Sequence, residues 1–105
     1  MKQLTTCFLK FNFKGIKLDD VSKIEFAFSQ EIGESPLKVE TYPSENVIKL
    51  SDSSIGVKFT SADTELFEAG EYFYADTRVS INDSDCQPET AILRLKMNPT
   101  LFEKA

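Results

Sequence analysis

Residues 71–81 read EYFYADTRVSI, and this stretch decides the fold class because its apolar side chains recur at every second position. A period of two is typical of a β-strand, whose successive side chains point to opposite faces of a sheet. One face carries Phe73, Ala75, Thr77, Val79 and Ile81. The other face carries Tyr72, Tyr74, Asp76, Arg78 and Ser80. The segment predicts a long strand with one side in a core and the other in solvent.

The same alternation recurs before and after this strand. One face of each earlier strand carries Cys7, Leu9, Phe11 and Phe13; then Ile24, Phe26 and Phe28; then, in a shorter strand, Leu37, Val39 and Thr41; and later Ile55, Val57 and Phe59. A brief strand is predicted over 47–50. A final strand is predicted over 90–97, with Ala91, Leu93, Leu95 and Met97 on one face and Ile92, Arg94 and Lys96 on the other.

One short segment, near 61–68, departs from the strand pattern. Ser61 is a suitable N-cap residue, and Asp63 falls in the first turn, where a carboxylate favours a helix. Thr64 can bond to nearby backbone. The segment predicts one or two helical turns that form a corner between two sheets.

These elements predict an all-β protein: a single antiparallel β-sandwich domain over 1–105, with about seven strands and one short helical turn near 61–68. No helical stretch is long enough for a βαβ crossover. A chain of 105 residues buries about 65% of its unfolded surface, which supports a core without disulfides.

The charge distribution bears on the class of partner. The chain has 12 basic and 17 acidic residues, a net charge of −5. Residues 1–60 hold eight lysines and eight acids, so the excess negative charge lies in 61–105. Clustered Lys and Arg, which bind phosphates and anionic lipids, are missing, so neither nucleic acid nor membrane is expected as a partner. Without an apolar run that would suit a signal peptide or a membrane span, synthesis in the cytosol is expected.

Catalytic and metal sites find little support in the residue types. The chain has no histidine, so the usual Ser or Cys triads cannot be built. One run of acidic residues has no basic residue beside it and could supply a catalytic carboxylate pair: Asp63, Glu65, Glu68, Glu71 and Asp76. Acidic residues near the start of a helix more often stabilise the helix dipole. Calcium ligands could come from Asn82, Asp83 and Asp85, although their spacing does not match an EF-hand. The sequence therefore predicts no enzyme, no metal and no cofactor.

Two groups of residues are candidates for partner binding. Tyr72, Tyr74 and Arg78 share one side of a strand, and Arg94 shares the corresponding side of the next; Tyr and Arg are enriched at protein–protein hot spots. The alternative is cross-strand pairing, with an arginine stacked on tyrosine or bridged to Asp76. The second group is Leu101 and Phe102, two apolar residues near the chain end that could pack on this domain or on a neighbouring subunit.

Residues 57–67, VKFTSADTELF, resemble a pattern of small prophage-encoded proteins from Gram-positive and gut bacteria. That pattern has an apolar strand, then Leu or Phe followed by Thr, two residues, Asp-Thr, and an aliphatic residue or Phe. The strands at 71–81, 89–95 and 21–30 are also similar to the family's. The family usually has a glycine in its last hairpin, whereas residues 82–86 here read NDSDC.

The resemblance implies an immunoglobulin-like β-sandwich, similar to the N-terminal domain of phage baseplate upper proteins. It implies a virion or prophage structural module and assigns no activity or site residues. The expected function is a non-enzymatic accessory protein of the tail, neck or capsid, carried in the virion. It would assemble as a homo-oligomer or on a larger phage subunit. The alternative is a β-sandwich that binds carbohydrate or another small ligand by stacking on Tyr72 and Tyr74.

Overall fold

The computed structural model describes residues 1–2, 5–13, 15, 17–81, 84–85 and 92–98. Its strands are β1 (Cys7–Asn12), β2 (Val21–Ser29), β3 (Lys38–Tyr42), β4 (Val47–Ser51), β5 (Ser54–Phe59), β6 (Tyr72–Ile81), β7 (Ser84–Asp85) and β8 (Leu93–Lys96). A 3-10 turn (Leu18–Asp20) precedes β2, and a short helix, α1 (Ser61–Glu65), precedes β6. None of the helical segments in the described ranges is long and apolar enough to cross a bilayer.

The strands form two antiparallel sheets. The smaller sheet has the order β1-β5-β4, and the larger has the order β3-β2-β6, with β7 and β8 both paired to the other edge of β6. β8 pairs with the start of β6 and β7 pairs with its end. The predicted all-β antiparallel sandwich with one short helical turn near 61–68 is confirmed.

The likeness to immunoglobulin domains is one of architecture. In an immunoglobulin constant domain the second strand joins the first, fourth and fifth strands in one sheet. Here β2 lies between β3 and β6, in the sheet opposite β1, β4 and β5. The protein shares two stacked antiparallel sheets with immunoglobulin domains, but the order of its strands differs from theirs.

Phenylalanine rings fill the space between the sheets. The ring centroids of Phe11 in β1 and Phe26 in β2 are 5.0 Å apart. Those of Phe28 in β2 and Phe59 in β5 are 4.9 Å apart, in an edge-to-face arrangement. Phe67, which follows α1, lies 6.3 Å from Phe59. Burying one such ring contributes about 1.5–3 kcal/mol. The apolar faces predicted around these rings in β1, β2 and β5 therefore form the core.

Strand β3 turns its polar side chains inward, which differs from the alternation of Leu37, Val39 and Thr41. Lys38 pairs with Phe28 and is only 8% exposed, whereas Leu37 and Val39 are 44% and 56% exposed. Paired residues of an antiparallel ladder share a face, so the register with β2 decides which side of β3 is buried.

The final strand is shorter than predicted and only its end is buried. β8 begins at Leu93, which is exposed although its pattern placed it on the apolar face. Burial then increases through Leu95 to the fully buried Met97. Residues 90 and 91 lie outside the described part of the chain.

Helix α1 begins one residue earlier than the sequence suggested, because Thr60 rather than Ser61 is its cap. The Asp63 N–H donates to Thr60 Oγ1 at 3.1 Å, and the Thr60 N–H donates to Asp63 Oδ2 at 2.9 Å. This reciprocal pair is a capping box. The expected backbone bond of Thr64 is confirmed, since its hydroxyl donates to the Ser61 carbonyl at 2.8 Å.

Candidate functional site

The outer face of the larger sheet brings together four of the predicted partner-binding residues. Tyr72, Tyr74 and Arg78 alternate along β6, and the register of β8 sets Arg94 opposite Tyr74. Because paired residues share a face, Arg94 stands on the same side of the sheet as both tyrosines. The pattern of alternation alone was sufficient to group these four residues.

Arg94 covers one of the two tyrosines. Its guanidinium carbon lies 4.4 Å from the centroid of the Tyr72 ring, a cation–π contact. Arg94 and the Tyr72 side chain both remain exposed. This contact is the cross-strand pairing that the sequence offered as the alternative to an interface.

Arg78 is engaged by a carboxylate of the neighbouring strand. Arg78 Nε donates to Glu25 Oε1 at 3.1 Å and Nη2 donates to Oε2 at 3.0 Å, while Lys23 Nζ lies 3.4 Å from Oε1. The hydrogen bonds from Arg78 hold the pKa of Glu25 below its usual value, against the opposing effect of partial burial. The bridge forms to Glu25 rather than to Asp76 because Glu25 is the register partner of Arg78.

A groove of about 140 Å³ opens between this sheet face and the loop that follows β2. We call it the Tyr74 groove. Its lining residues from the strands are Ala27, Ser29, Tyr74 and Asp76, and those outside the strands are Ile32, Gly33, Glu34, Pro36 and Ile92. Its two charged lining residues, Glu34 and Asp76, are both acidic. The groove therefore combines an apolar wall with negative charge.

The loop that forms the groove wall is held by specific hydrogen bonds. Gln30 Nε2 donates to the Tyr72 carbonyl at 2.7 Å, and Gln30 Oε1 accepts from the Glu68 N–H at 2.8 Å. Gly33 has a φ of 91°, which glycine adopts at little cost. Ile32 and Pro36 lie between the predicted strands, and no pattern in the sequence indicated that they would line a groove.

A second apolar surface lies on the outer face of the smaller sheet. We call it the Phe8 patch, formed by Phe8, Ile48 and Leu50 around Gly56. All three large side chains are exposed, and a Cβ on Gly56 would lie 3.3 Å from Leu50 Cδ1 and 3.4 Å from Phe8 Cδ1. Phe8 and Leu50 thus lean together over the glycine. The sequence contained a signal for this patch, because Phe8 alternates with polar Lys10 and Asn12.

The buried lysine of β3 belongs to a structural ion cluster. Lys38 Nζ lies 2.9 Å from Glu40 Oε1, 3.1 Å from Asp63 Oδ2 and 5.1 Å from the Phe59 ring centroid. Burial opposes ionisation of Asp63, but hydrogen bonds from the Thr60 N–H and from Lys38 outweigh it and lower the pKa of Asp63. The cluster joins β3 to α1, and nothing in the pattern of 37–42 indicated it.

The acidic residues considered for catalysis do not form one site around Asp63. The carboxylate of Asp63 is occupied by the capping box and by Lys38, whereas Asp76 lines the groove on the outer sheet face. Within the described residues, no cluster of three or more Cys, Asp or Glu side chains could hold a metal ion. Asn82 and Asp83 of the calcium hypothesis lie outside those residues, as do Leu101 and Phe102.

Comparison with known proteins adds no relative to this picture: no protein-family model, no curated protein and no solved structure matches the chain.

Proposed function

We propose that this chain is a non-enzymatic structural protein of a phage or prophage particle. It acts by protein–protein assembly in the tail, neck or capsid region, is made in the bacterial cytoplasm and is carried in the virion. The resemblance of residues 57–67 to small prophage proteins supports the assignment to a phage or prophage particle. The exposed apolar surfaces support assembly as the mode of action.

The observation that carries the proposal is the pair of apolar surfaces on the outer faces of the two sheets. A solvated sheet face normally carries polar side chains, and exposed apolar groups that gather in a patch mark interaction sites. Here Phe8, Ile48 and Leu50 gather on one outer face, and Ile32 and Ile92 line the groove on the other. Except for Ile92, the residues of both surfaces lie on strands or on the hydrogen-bonded loop after β2, which gives a partner a rigid platform.

Mass spectrometry of purified particles tests this proposal. Particles induced from the encoding strain are separated on a density gradient, and the chain is quantified against the major capsid protein in each fraction. We expect a constant ratio across the particle peak, with an abundant cytoplasmic protein of the host as the marker of contamination. Intact particles that lack the chain would contradict the proposal.

The Tyr74 groove supports a second candidate, a module that binds carbohydrate or another small ligand. Tyr74 offers an aromatic surface, and Ser29 and Asp76 offer polar atoms beside it. Tyr72 is a weaker platform because Arg94 covers part of its ring. A glycan array tests this function. Binding that is lost in Tyr74→Ala and kept in Tyr42→Ala would favour it, and an array without hits on folded protein would exclude glycans.

A further inference from the structure

Two surfaces on opposite outer faces of the sandwich have complementary shapes, because one is an exposed apolar patch and the other is a groove. The Phe8 patch stands on the smaller sheet, and the Tyr74 groove opens on the larger one. We propose that the Phe8 patch of one copy docks in the Tyr74 groove of a second copy, so that the chain assembles head to tail. This inference rests on the proposed function, since it names the partner through which assembly proceeds.

The size of the groove suits an aromatic ring. A cavity of about 150 Å³ holds a benzene molecule, and the Tyr74 groove has about 140 Å³. Phe8 is 49% exposed on the outer side of β1. Phe8 and Leu50 both lie close to Gly56, which has no side chain that would compete with them for space. Phe8 is the aromatic ring of the patch, and it is the side chain that we expect to enter the groove.

The charged residues that line the groove are opposite in sign to those beside the patch. The outward positions of β1, β4 and β5 carry two cations, Lys10 and Lys58, and no acid. Lys58 is the register partner of Phe8, and Lys10 follows it on the same face. The charged residues that line the groove are Glu34 and Asp76. The two arginines on the same sheet face already have contacts, Arg78 with Glu25 and Arg94 with the Tyr72 ring. Opposite charges around an apolar contact guide encounter and fix its orientation.

The same charges argue against a symmetric dimer. A patch on a patch would bring Lys10 and Lys58 against their own copies, and a groove on a groove would oppose Glu34 and Asp76. Like charges brought together at an interface are unfavourable. A patch in a groove is a heterologous contact, so each copy still has one free patch or groove at the end of an open chain of copies. Such a contact builds a filament, or a ring if the chain of copies closes on itself.

Sedimentation velocity of the purified full chain tests this contact. A small interface of this kind is expected to be weak, with a Kd of about 0.1 mM. The protein concentration in the measurement therefore extends to about 1 mM. We expect self-association that Phe8→Ser weakens by at least about tenfold. The matched control is Leu66→Ser, since Leu66 is 47% exposed and lies at the end of α1, outside both surfaces. It should leave association unchanged, and circular dichroism verifies that each variant is folded.

Charge reversal identifies which surface meets which. Asp76→Lys and Lys10→Glu should each weaken association alone, and a mixture of the two variants should restore it. In the mixture, the reversed patch of one variant faces the reversed groove of the other, and the remaining contacts keep their natural charges. A symmetric dimer would bury only one of the two surfaces, so only one of the two variants would change its association. Weakening by both variants, followed by restoration in their mixture, therefore identifies the contact of a patch with a groove.

Three results would overturn the head-to-tail contact: a monomer at every concentration, association that persists in Asp76→Lys, or a mixture that stays dissociated. A monomeric chain that is nonetheless present in purified particles would reject this inference and keep the proposed function. A chain that self-associates in this way but is absent from particles would keep this inference and reject the proposed function.

Discussion

Several buried phenylalanines stabilise the sandwich through a ring that they meet in the opposite sheet. Phe26 is 0% exposed and packs against Phe11 across the core. Phe26→Ala should therefore lower the free energy of unfolding by about 3–5 kcal/mol, measured by urea denaturation. Phe8→Ala is the matched control, because the same side chain is removed from an outer face, and its cost should be clearly smaller. A cost near zero for Phe26→Ala would mean that the buried face of β2 is reversed.

Asp63 should make stability depend on pH in the acidic range. Its pKa in the folded chain lies below the ordinary value of 3.8. Its ionised form therefore stabilises the fold above that value, and this stabilisation is lost as the pH falls through the folded pKa. Asp63→Asn should cost about 1–2 kcal/mol at neutral pH, and the difference from the natural chain should shrink below about pH 4.

The comparison requires denaturation curves at several pH values for both chains. Glu68→Gln is a suitable control, because Glu68 is exposed just after α1 and its hydrogen bond to Gln30 is made by the backbone N–H, which the substitution keeps. That control should show no change in stability across the same range. An Asp63→Asn deficit that is equally large at low pH would contradict the role assigned to the charge.

At the scale of the element, α1 depends on its cap because five residues are too few for a helix that is stable alone. Thr60→Ala removes the oxygen that accepts from the Asp63 N–H and should cost about 1 kcal/mol. Ser61→Ala should be nearly neutral, although Ser61 is the residue that the sequence favoured as the cap. Thermal unfolding of the two variants decides between them, and a larger loss in Ser61→Ala would contradict the capping box.

Strand β3 shows why the direction of a strand face is hard to predict at this scale. Its apolar positions, Leu37 and Val39, suggested the face that the structure leaves exposed. A lysine is tolerated inside because Glu40 and Asp63 lie within 3.1 Å of its ammonium group and its aliphatic stem covers apolar surface. Glu40 lies in β3 itself, but Asp63 lies in α1, so a pattern read within 37–42 could not reveal the complete cluster.

At the scale of the whole molecule, the two sheets are joined by rings that meet across the core. Phe28 and Phe59 lie in opposite sheets with their centroids 4.9 Å apart, in an edge-to-face arrangement. A double-mutant cycle with Phe28→Leu and Phe59→Leu should give a coupling energy of about 0.5–1.5 kcal/mol. Unfolding should remain a single cooperative transition, followed by fluorescence and circular dichroism. Strictly additive losses would mean that the two rings do not stabilise each other.

The candidate site could be predicted only in part. The alternation of β6 and β8 was enough to group Tyr72, Tyr74 and Arg94 on one face, since side-chain direction along a strand is a local property. The partner of Arg78 was not predictable in this way. Glu25 lies 53 residues away, and only the register between β2 and β6 brings the two together.

The period-two pattern of this chain by itself determined the all-β class and most of the buried phenylalanines, because alternation is set by the geometry of the single strand. The tertiary structure alone decided the order of the strands, the inward lysine of β3, the Tyr74 groove and the lean of Phe8 and Leu50 over Gly56. Each of these depends on which segments, distant in sequence, become neighbours. That choice is made by the packing of two sheets against a shared core, and no window of local sequence contains it.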